Sequence, residues 1–183
     1  MLKKSVSLLL LCLMAAAPSF AQNIWLDAMK GNISKLETGL ANGADINAKK
    51  PNSGYTLLFF AVAGMQYKTV EFLADKGANL DIKNGEGSTP LEYAIVQNKE
   101  KMVKLLIDKG ANVNVEGRDG YPLAVALSRT KCDYDIIEAL YHAGADITIK
   151  DGNGYEVNQI MFLRKDKDKI KKLFASPRTE KSK

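Results

Sequence analysis

The stretch KGANLDIKNGEGSTPLEYA, residues 76–94, contains the two phrases whose recurrence decides the fold. Its first phrase, GANLD (77–81), recurs as GADIN at 43–47, GANVN at 110–114 and GADIT at 144–148. The leading glycines are therefore 34, 33 and 34 residues apart. A fixed period of this length is typical of a helical solenoid, in which stacked units cover one another's apolar faces.

A second glycine follows each of these phrases, and after three of the four comes a phrase that suits the start of a helix: YTLLFFA, STPLEYA and YPLAVA. Pro90 and Pro122 fit the first helical turn, where a missing N–H costs nothing. Thr89 can cap that turn with its hydroxyl. Each unit's second helix is predicted to end at a glycine in the left-handed conformation, and these are Gly77, Gly110 and Gly144.

These phrases resemble the Thr-Pro-Leu-His-x-Ala signature of ankyrin repeats, and the resemblance covers about residues 23–175. It implies an all-α solenoid of about five helix-turn-helix units with β-turn fingers, and non-catalytic recognition of a protein. We expect one domain over residues 22–175, with units at about 23–49, 50–83, 84–116, 117–150 and 151–175. In the last unit we expect Ile160, Phe162, Ile170, Leu173 and Phe174 to pack.

The chain departs from the ankyrin pattern in two ways. The histidine of the signature, which ties neighbouring fingers together in that family, is replaced by Phe59, Glu92 and Ala124. We therefore expect fingers that are looser or differently braced. The fourth unit also carries two extra residues within RTKCDYDI (129–136), and insertions of this kind usually form exposed loops.

The first 21 residues have the build of a secretory signal peptide. Lys3 and Lys4 supply the positive end, residues 8–13 form an apolar core, and Ser19-Phe20-Ala21 is a small-x-small cleavage site. We expect cleavage near Ala21–Gln22, a periplasmic protein and no transmembrane segment, because no apolar run approaches the ~20 residues that a spanning helix needs.

Charge is divided unevenly along the chain. Residues 164–183 contain 9 basic and 3 acidic residues, whereas residues 22–163 contain 15 basic and 18 acidic residues. The basic end, RKDKDKIKKLF, has two interpretations: the solvated face of a closing helix, which we favour, or a contact with an anionic membrane or wall polymer. Residues 176–183 are expected to form a flexible basic tail.

The residues that catalysis would require are sparse. His142 is the sole histidine, and beyond the predicted signal peptide Cys132 is the sole cysteine, so the four ligands of a structural zinc site are not available. No phosphate-binding glycine loop is present. The carboxylates, such as Asp45, Asp81 and Asp146, fall where turns and caps require them. We predict that the protein is not an enzyme and uses no cofactor or metal; Cys132 is expected to be a tolerated loop thiol, with an intermolecular or redox role as the alternative.

The residue after each second glycine is expected to face the concave side, and three of these four residues are Tyr55, Tyr121 and Tyr155. Tyrosine is enriched at interfaces, so the row favours a binding face, although each ring could instead stack on the next finger. Mixed charge at the finger tips suits a protein better than nucleic acid. The candidate tip residues are Lys49, Lys50, Asn52, Asn84, Glu86, Arg118, Asp119, Asp151 and Asn153.

Export and recognition together suggest a function. The leading hypothesis is a protein, monomeric when free, that binds and inhibits an exported enzyme, with a peptidoglycan hydrolase or endopeptidase as the first candidate and self-protection or immunity as the role. One alternative is a periplasmic scaffold or stress-protection factor that supports a partner such as a catalase. Another is a secreted effector that binds host proteins.

Overall fold

The computed structural model describes residues 18–150 and 154–177, and within them the chain forms five pairs of helices joined by short turns. This architecture confirms the predicted all-α solenoid of about five units. The pairs are α1 (Pro18–Lys30) with α2 (Ile33–Ala41), α3 (Leu57–Ala63) with α4 (Tyr67–Asp75), α5 (Pro90–Val96) with α6 (Glu100–Asp108), α7 (Pro122–Ser128) with α8 (Tyr134–His142), and α9 (Val157–Met161) with α10 (Lys167–Ala175).

The first helix of each pair packs on the first helix of the next pair, and the second helices from α4 onwards stack in the same way. The two layers enclose one continuous apolar core. Ala61, Ala94 and Ala126 are almost completely buried in the first helices, where a small side chain allows close approach. Leu73 and Leu106, on the second helices, are fully buried against them. Each unit therefore depends on its neighbours for its core.

The helix boundaries follow from the residues that the sequence places there. The Thr56 and Thr89 hydroxyls accept hydrogen bonds from the Phe59 and Glu92 amides, at 3.2 and 3.1 Å. Pro90 and Pro122 occupy the first turns of α5 and α7. Positive φ angles end α4, α6 and α8, as predicted for Gly77 (85°), Gly110 (96°) and Gly144 (93°).

The loop that holds the extra residues of the fourth unit is exposed at residues 129–131 and 133, as predicted, and it is anchored from the last helix pair. The buried Arg164 guanidinium donates hydrogen bonds to the carbonyl oxygens of Ala126 (3.3 Å), Arg129 (2.7 Å) and Cys132 (2.8 Å). It also forms a two-pronged pair with Asp166, at 2.8 and 2.9 Å. One arginine thus attaches the turn of the fifth pair to that of the fourth.

Packing in the fifth pair follows the prediction except at Phe162. Ile160, Ile170 and Leu173 are buried, and Phe174 is half-buried against the core. Phe162 is 55% exposed, so the expectation that it packs was wrong. The reason is that α9 ends at Met161 and leaves Phe162 in the turn that follows.

The ends of the chain leave two predictions open. Residues 1–17, which contain most of the predicted signal peptide, and residues 178–183 of the predicted tail lie outside the described residues. The helix α1 begins at Pro18, so it spans the predicted cleavage site. In the part of the chain that the structure describes, no helix is both long and apolar enough to cross a membrane.

Candidate protein-binding face

The turns at the base of the fingers are joined by a repeating ladder of polar side chains. In each turn the first polar residue of the phrase accepts a hydrogen bond from the amide two residues later. The second polar residue accepts from the amide of the first polar residue in the next unit. These inter-unit bonds join the Asn79 amide to Asn47 (2.8 Å), the Asn112 amide to Asp81 (3.0 Å), and the Asp146 amide to Asn114 (2.8 Å).

This ladder accounts for the polar residues of the recurring phrase. The predicted turn role of Asp45, Asp81 and Asp146 is confirmed, and for Asp81 the structure adds a bond to the next unit. Thr148 stands at the last position of the ladder, where its hydroxyl donates to Asp146 at 2.8 Å. Side-chain caps of this kind satisfy backbone donors that the turns leave without a partner.

The finger tips are also joined to one another. The Gly85 amide in the second finger donates to the Ser53 carbonyl oxygen in the first, at 2.8 Å. In the next pair of fingers the Arg118 guanidinium pairs with the Glu86 carboxylate at 2.9 Å, and both side chains are exposed. The three fingers therefore present a connected surface.

Glu92 replaces the signature histidine and braces the adjacent finger. Its side chain is buried, and its two carboxylate oxygens accept from the amides of Arg118 (3.0 Å) and Asp119 (2.6 Å). A Cβ atom at Gly117 would collide with this carboxylate, so the approach requires glycine. The fingers are thus differently braced at this joint, which is one of the two outcomes that the sequence suggested.

The three tyrosines do not form a uniform row. Tyr55 is half-buried, and its ring lies 4.3 Å from that of Phe59 and 5.3 Å from that of Phe60. Tyr121 is half-buried against the core, whereas Tyr155 is 57% exposed. Stacking within its own unit therefore occupies part of Tyr55, and Tyr155 has the most exposed ring of the three.

All but one of the candidate tip residues that the structure describes are exposed. Lys49, Lys50, Asn52, Glu86, Arg118 and Asp119 all lie at the surface. The prediction that Asn84 is an exposed contact residue was wrong, because it is only 6% exposed. Its side-chain oxygen accepts hydrogen bonds from the amides of Glu86 and Ser88. It shapes the second finger from within. Asp151 and Asn153 lie outside the described residues.

Two aromatic residues of this face were missed from the sequence. Phe60 and Tyr93, at the fourth position of α3 and α5, are half-buried and flank the Tyr55 and Phe59 rings. The Lys50 ammonium lies over the Phe60 ring, 5.2 Å from its centre. The available signal was an aromatic residue at the variable position of the signature. Large aromatic surfaces beside charge are common at the centres of protein interfaces.

The groups considered for chemistry are not assembled into a site. Cys132 is buried, and burial raises the pKa of its thiol to about 11, so the reactive thiolate is scarce near neutral pH. His142 is half-buried beside the Tyr141 ring. Among the described residues no group of three or more potential ligands could hold a metal ion. Cys132 is therefore a loop thiol, as predicted, and its side chain is buried against the core.

The family follows from the repeats. No curated protein matches the chain. A family model described as three copies of the ankyrin repeat matches residues 24–117, which is more than half of the 183 residues. That segment begins within α1, covers the remaining helices of the first three pairs and ends in the finger that leads to the fourth. Ankyrin repeats bind protein partners and are generally not catalytic. The chain belongs to the ankyrin-repeat family.

Proposed function

We propose that this protein is an exported, non-catalytic binder that holds a protein partner against its finger side and inhibits it. The observation that carries the proposal is the bracing of that side. Ladder bonds, the Glu86–Arg118 pair and buried Glu92 connect successive fingers before any partner arrives. A face that is ordered in advance loses little conformational entropy on binding, so more of the contact energy appears as affinity.

The half-buried aromatic rings would form the centre of this interface. Tyr55, Phe60 and Tyr93 lie together on the first helices and finger of the second and third units, with Lys50 beside them. Arg118 and Glu86 already neutralise each other, whereas Lys49 and Lys50 have no ion pair among the described residues. This distribution favours a partner with an apolar centre and an acidic rim near the first finger.

The signal-like first 21 residues support export, and export restricts the partner to proteins of the periplasm or beyond. An exported peptidoglycan hydrolase or endopeptidase is our first candidate, because a cell that exports such an enzyme must protect its own wall. The proposed role is therefore self-protection, with the protein occupying the enzyme until it is released.

The test is affinity capture from intact periplasm, followed by titration of the captured enzyme. Changing Phe60 and Tyr93 to serine should lower capture by at least about tenfold, because aromatic anchors dominate interface energy. The matched control changes Tyr67 and Lys101, exposed on the second helices α4 and α6, and should leave capture unchanged. Equal capture by both variants would place the interface elsewhere.

Titration separates inhibition from support. An inhibitor lowers the turnover of the partner in proportion to the complex formed, and deleting the gene should make cells round up or lyse when the hydrolase is expressed. Partner activity that stays constant or rises contradicts inhibition and indicates a scaffold, for example for a catalase. Recovery of the protein from culture medium instead of periplasm would favour a secreted effector.

A further inference from the structure

We infer that the turn between α9 and α10, residues 162–166, is a docking site for an anionic lipid bilayer, separate from the finger side. The first observation is an exposed apolar pair at the start of this turn. Phe162 is 55% exposed and Leu163 is 82% exposed, the largest value among the large apolar side chains of the described residues. Two adjacent large apolar residues on a surface turn suit insertion into the boundary between headgroups and acyl chains.

The second observation is the charge around this pair. Arg164 and Asp166 neutralise each other, because the guanidinium and the carboxylate are held together by two hydrogen bonds at 2.8 and 2.9 Å. Between residues 162 and 173 this leaves Lys165, Lys167, Lys169, Lys171 and Lys172 against Asp168. Among the described residues none of these lysines forms an ion pair. The Lys169 ammonium lies over the Tyr134 ring, 3.4 Å from its centre, and the other four lysines complement an anionic headgroup layer.

The third observation is that the tip is fixed in position. Arg164 directly follows Leu163 and is anchored to three carbonyl oxygens of the neighbouring pair. The Lys171 ammonium lies 4.6 Å from the centre of the Phe162 ring, so a lysine of α10 stands next to the apolar pair. The exposed pair is consequently presented by a braced turn, and docking needs little ordering of the chain.

The position of the turn leaves the fingers free. Fingers precede α3, α5, α7 and α9, and the turns between paired helices follow the other ends of these helices. The five-residue helix α9 separates its finger from the turn at 162–166 by about 7 Å, so this turn lies at the other end of the helix from the finger. A protein docked through residues 162–166 would direct its finger side away from the bilayer and towards a protein partner.

The test measures binding of the purified protein, as cells process it, to two vesicle types by co-sedimentation. Vesicles of phosphatidylcholine with about one-third phosphatidylglycerol should bind at least about tenfold more protein than phosphatidylcholine alone. The double change Phe162→Ser and Leu163→Ser should lower binding by about tenfold or more. Its matched control is Leu26→Ser with Met29→Ser, a pair that is 45% and 44% exposed in the first helix pair.

Charge and insertion are tested separately. Lys165→Glu with Lys171→Glu should weaken binding much more than Lys68→Glu with Lys101→Glu, a pair that is also exposed, on α4 and α6. In the Phe162→Trp variant, brominated lipid should quench the added tryptophan fluorescence. The natural protein, in which Trp25 is the sole tryptophan, gives the reference signal. These variants keep the test valid if the serine pair fails to fold, which circular dichroism would reveal.

Three results would overturn the inference. One is equal loss of binding in the serine pair and its control. Another is full vesicle binding by the Phe162→Trp variant without quenching of its added tryptophan, which would mean that charge attraction alone holds the protein at the bilayer. The third is absence of vesicle binding by the natural protein together with a dimer in light scattering that the serine pair abolishes, which would assign the apolar pair to a second copy of the chain.

Discussion

The third and fifth helix pairs are attached to the stack in different ways. The third pair is held by several separate hydrogen bonds, which are the Thr89 cap, the Asp81 ladder bond and the Glu92 brace. The fifth pair has a shorter first helix of five residues, and two side chains supply its hydrogen bonds to the fourth pair: Arg164, which donates to three carbonyl oxygens, and Tyr141, whose hydroxyl donates to those of Phe174 and Ser176. Stability in the middle is therefore distributed, whereas at the end it is concentrated.

This difference has a physical cause. A middle unit is covered on both sides, so modest polar contacts are sufficient to set its register. Among the described residues the last pair packs against the fourth pair alone, and the multidentate Arg164 guanidinium adds several directional bonds to carbonyl oxygens there. Concentrated attachment also leaves the adjacent residues, Phe162 and Leu163, free to remain at the surface.

The largest effect should come from Arg164→Met. The change removes bonds to three carbonyl oxygens and leaves Asp166 without its partner, so we expect a loss of about 3 kcal/mol. Because an end pair can open by itself, hydrogen exchange should accelerate in α9 and α10 before the other helices. Urea unfolding measures the total loss in the free energy of unfolding. Lys131→Met, an exposed lysine of the adjacent loop, is the control, and an equal loss of stability in that variant would contradict the concentrated attachment.

The next largest loss of stability is expected when the Glu92 brace of the third pair is removed. Glu92→Ala leaves the amides of Arg118 and Asp119 without their acceptor, and we expect a loss of about 2 kcal/mol in urea unfolding. Glu92→Gln keeps one carbonyl oxygen and should lose less. Glu71→Ala, exposed on α4, should change stability by no more than about 0.5 kcal/mol.

A double-mutant cycle makes this test sharper. Gly117→Ala should destabilise the protein when Glu92 is present, because the added Cβ collides with the carboxylate. The same change should cost less in the Glu92→Ala background, where the space is empty. Additive losses would show that the carboxylate and Gly117 do not share a packed contact.

A smaller loss of stability is expected when a single hydrogen-bonding residue of the ladder is removed. Asn114→Ala removes the acceptor of the Asp146 amide and the donor to the Gly144 carbonyl oxygen, both at exposed positions. We expect a loss of about 1 kcal/mol, because water can replace part of each bond. Asn42→Ala, exposed and outside the ladder, is the control. A loss as large as that of Glu92→Ala would mean that the middle is also held by single residues.

The smallest effect concerns pH. The Arg164 guanidinium hydrogen-bonds to Asp166 and holds the pKa of that carboxyl below its usual value of 3.8. A lowered folded-state pKa adds stability above the ordinary carboxyl pKa, and this stability is lost as pH falls through the folded value. The stability difference between the natural protein and Arg164→Met should therefore narrow below about pH 4. A constant difference in acid urea titrations would contradict a contribution from the ion pair.

The fold was largely predictable because its determinants repeat. Glycine-led phrases at a 33 to 34 residue period predicted the pairs, and Thr89, Pro90 and Pro122 predicted where helices begin. Non-periodic features were predicted less well. Phe162 was expected to pack, although α9 ends before it. The loop at 129–133 is exposed as predicted except at Cys132, and no local pattern indicated that Arg164 would bind the Cys132 carbonyl oxygen.

The candidate face was predicted in part. Its location on the fingers and most of its exposed tip residues follow from position within the repeat. Asn84 could not be separated from its neighbours by residue type, because an asparagine at a finger tip can face solvent or cap the turn from inside, as it does here. Phe60 and Tyr93 were missed because an aromatic residue in a helix start is compatible with either core or surface.

The sequence by itself determined the repeat, the family and the turn chemistry, because each of these depends on residues close together or separated by one constant period. Tertiary structure alone decided which side chains brace and which remain exposed. Glu92 meets the next finger across 26 residues, and Arg164 meets the fourth pair across 32 to 38 residues. Such contacts join residues of different units, so they depend on how the units pack on one another, and no local residue preference specifies them.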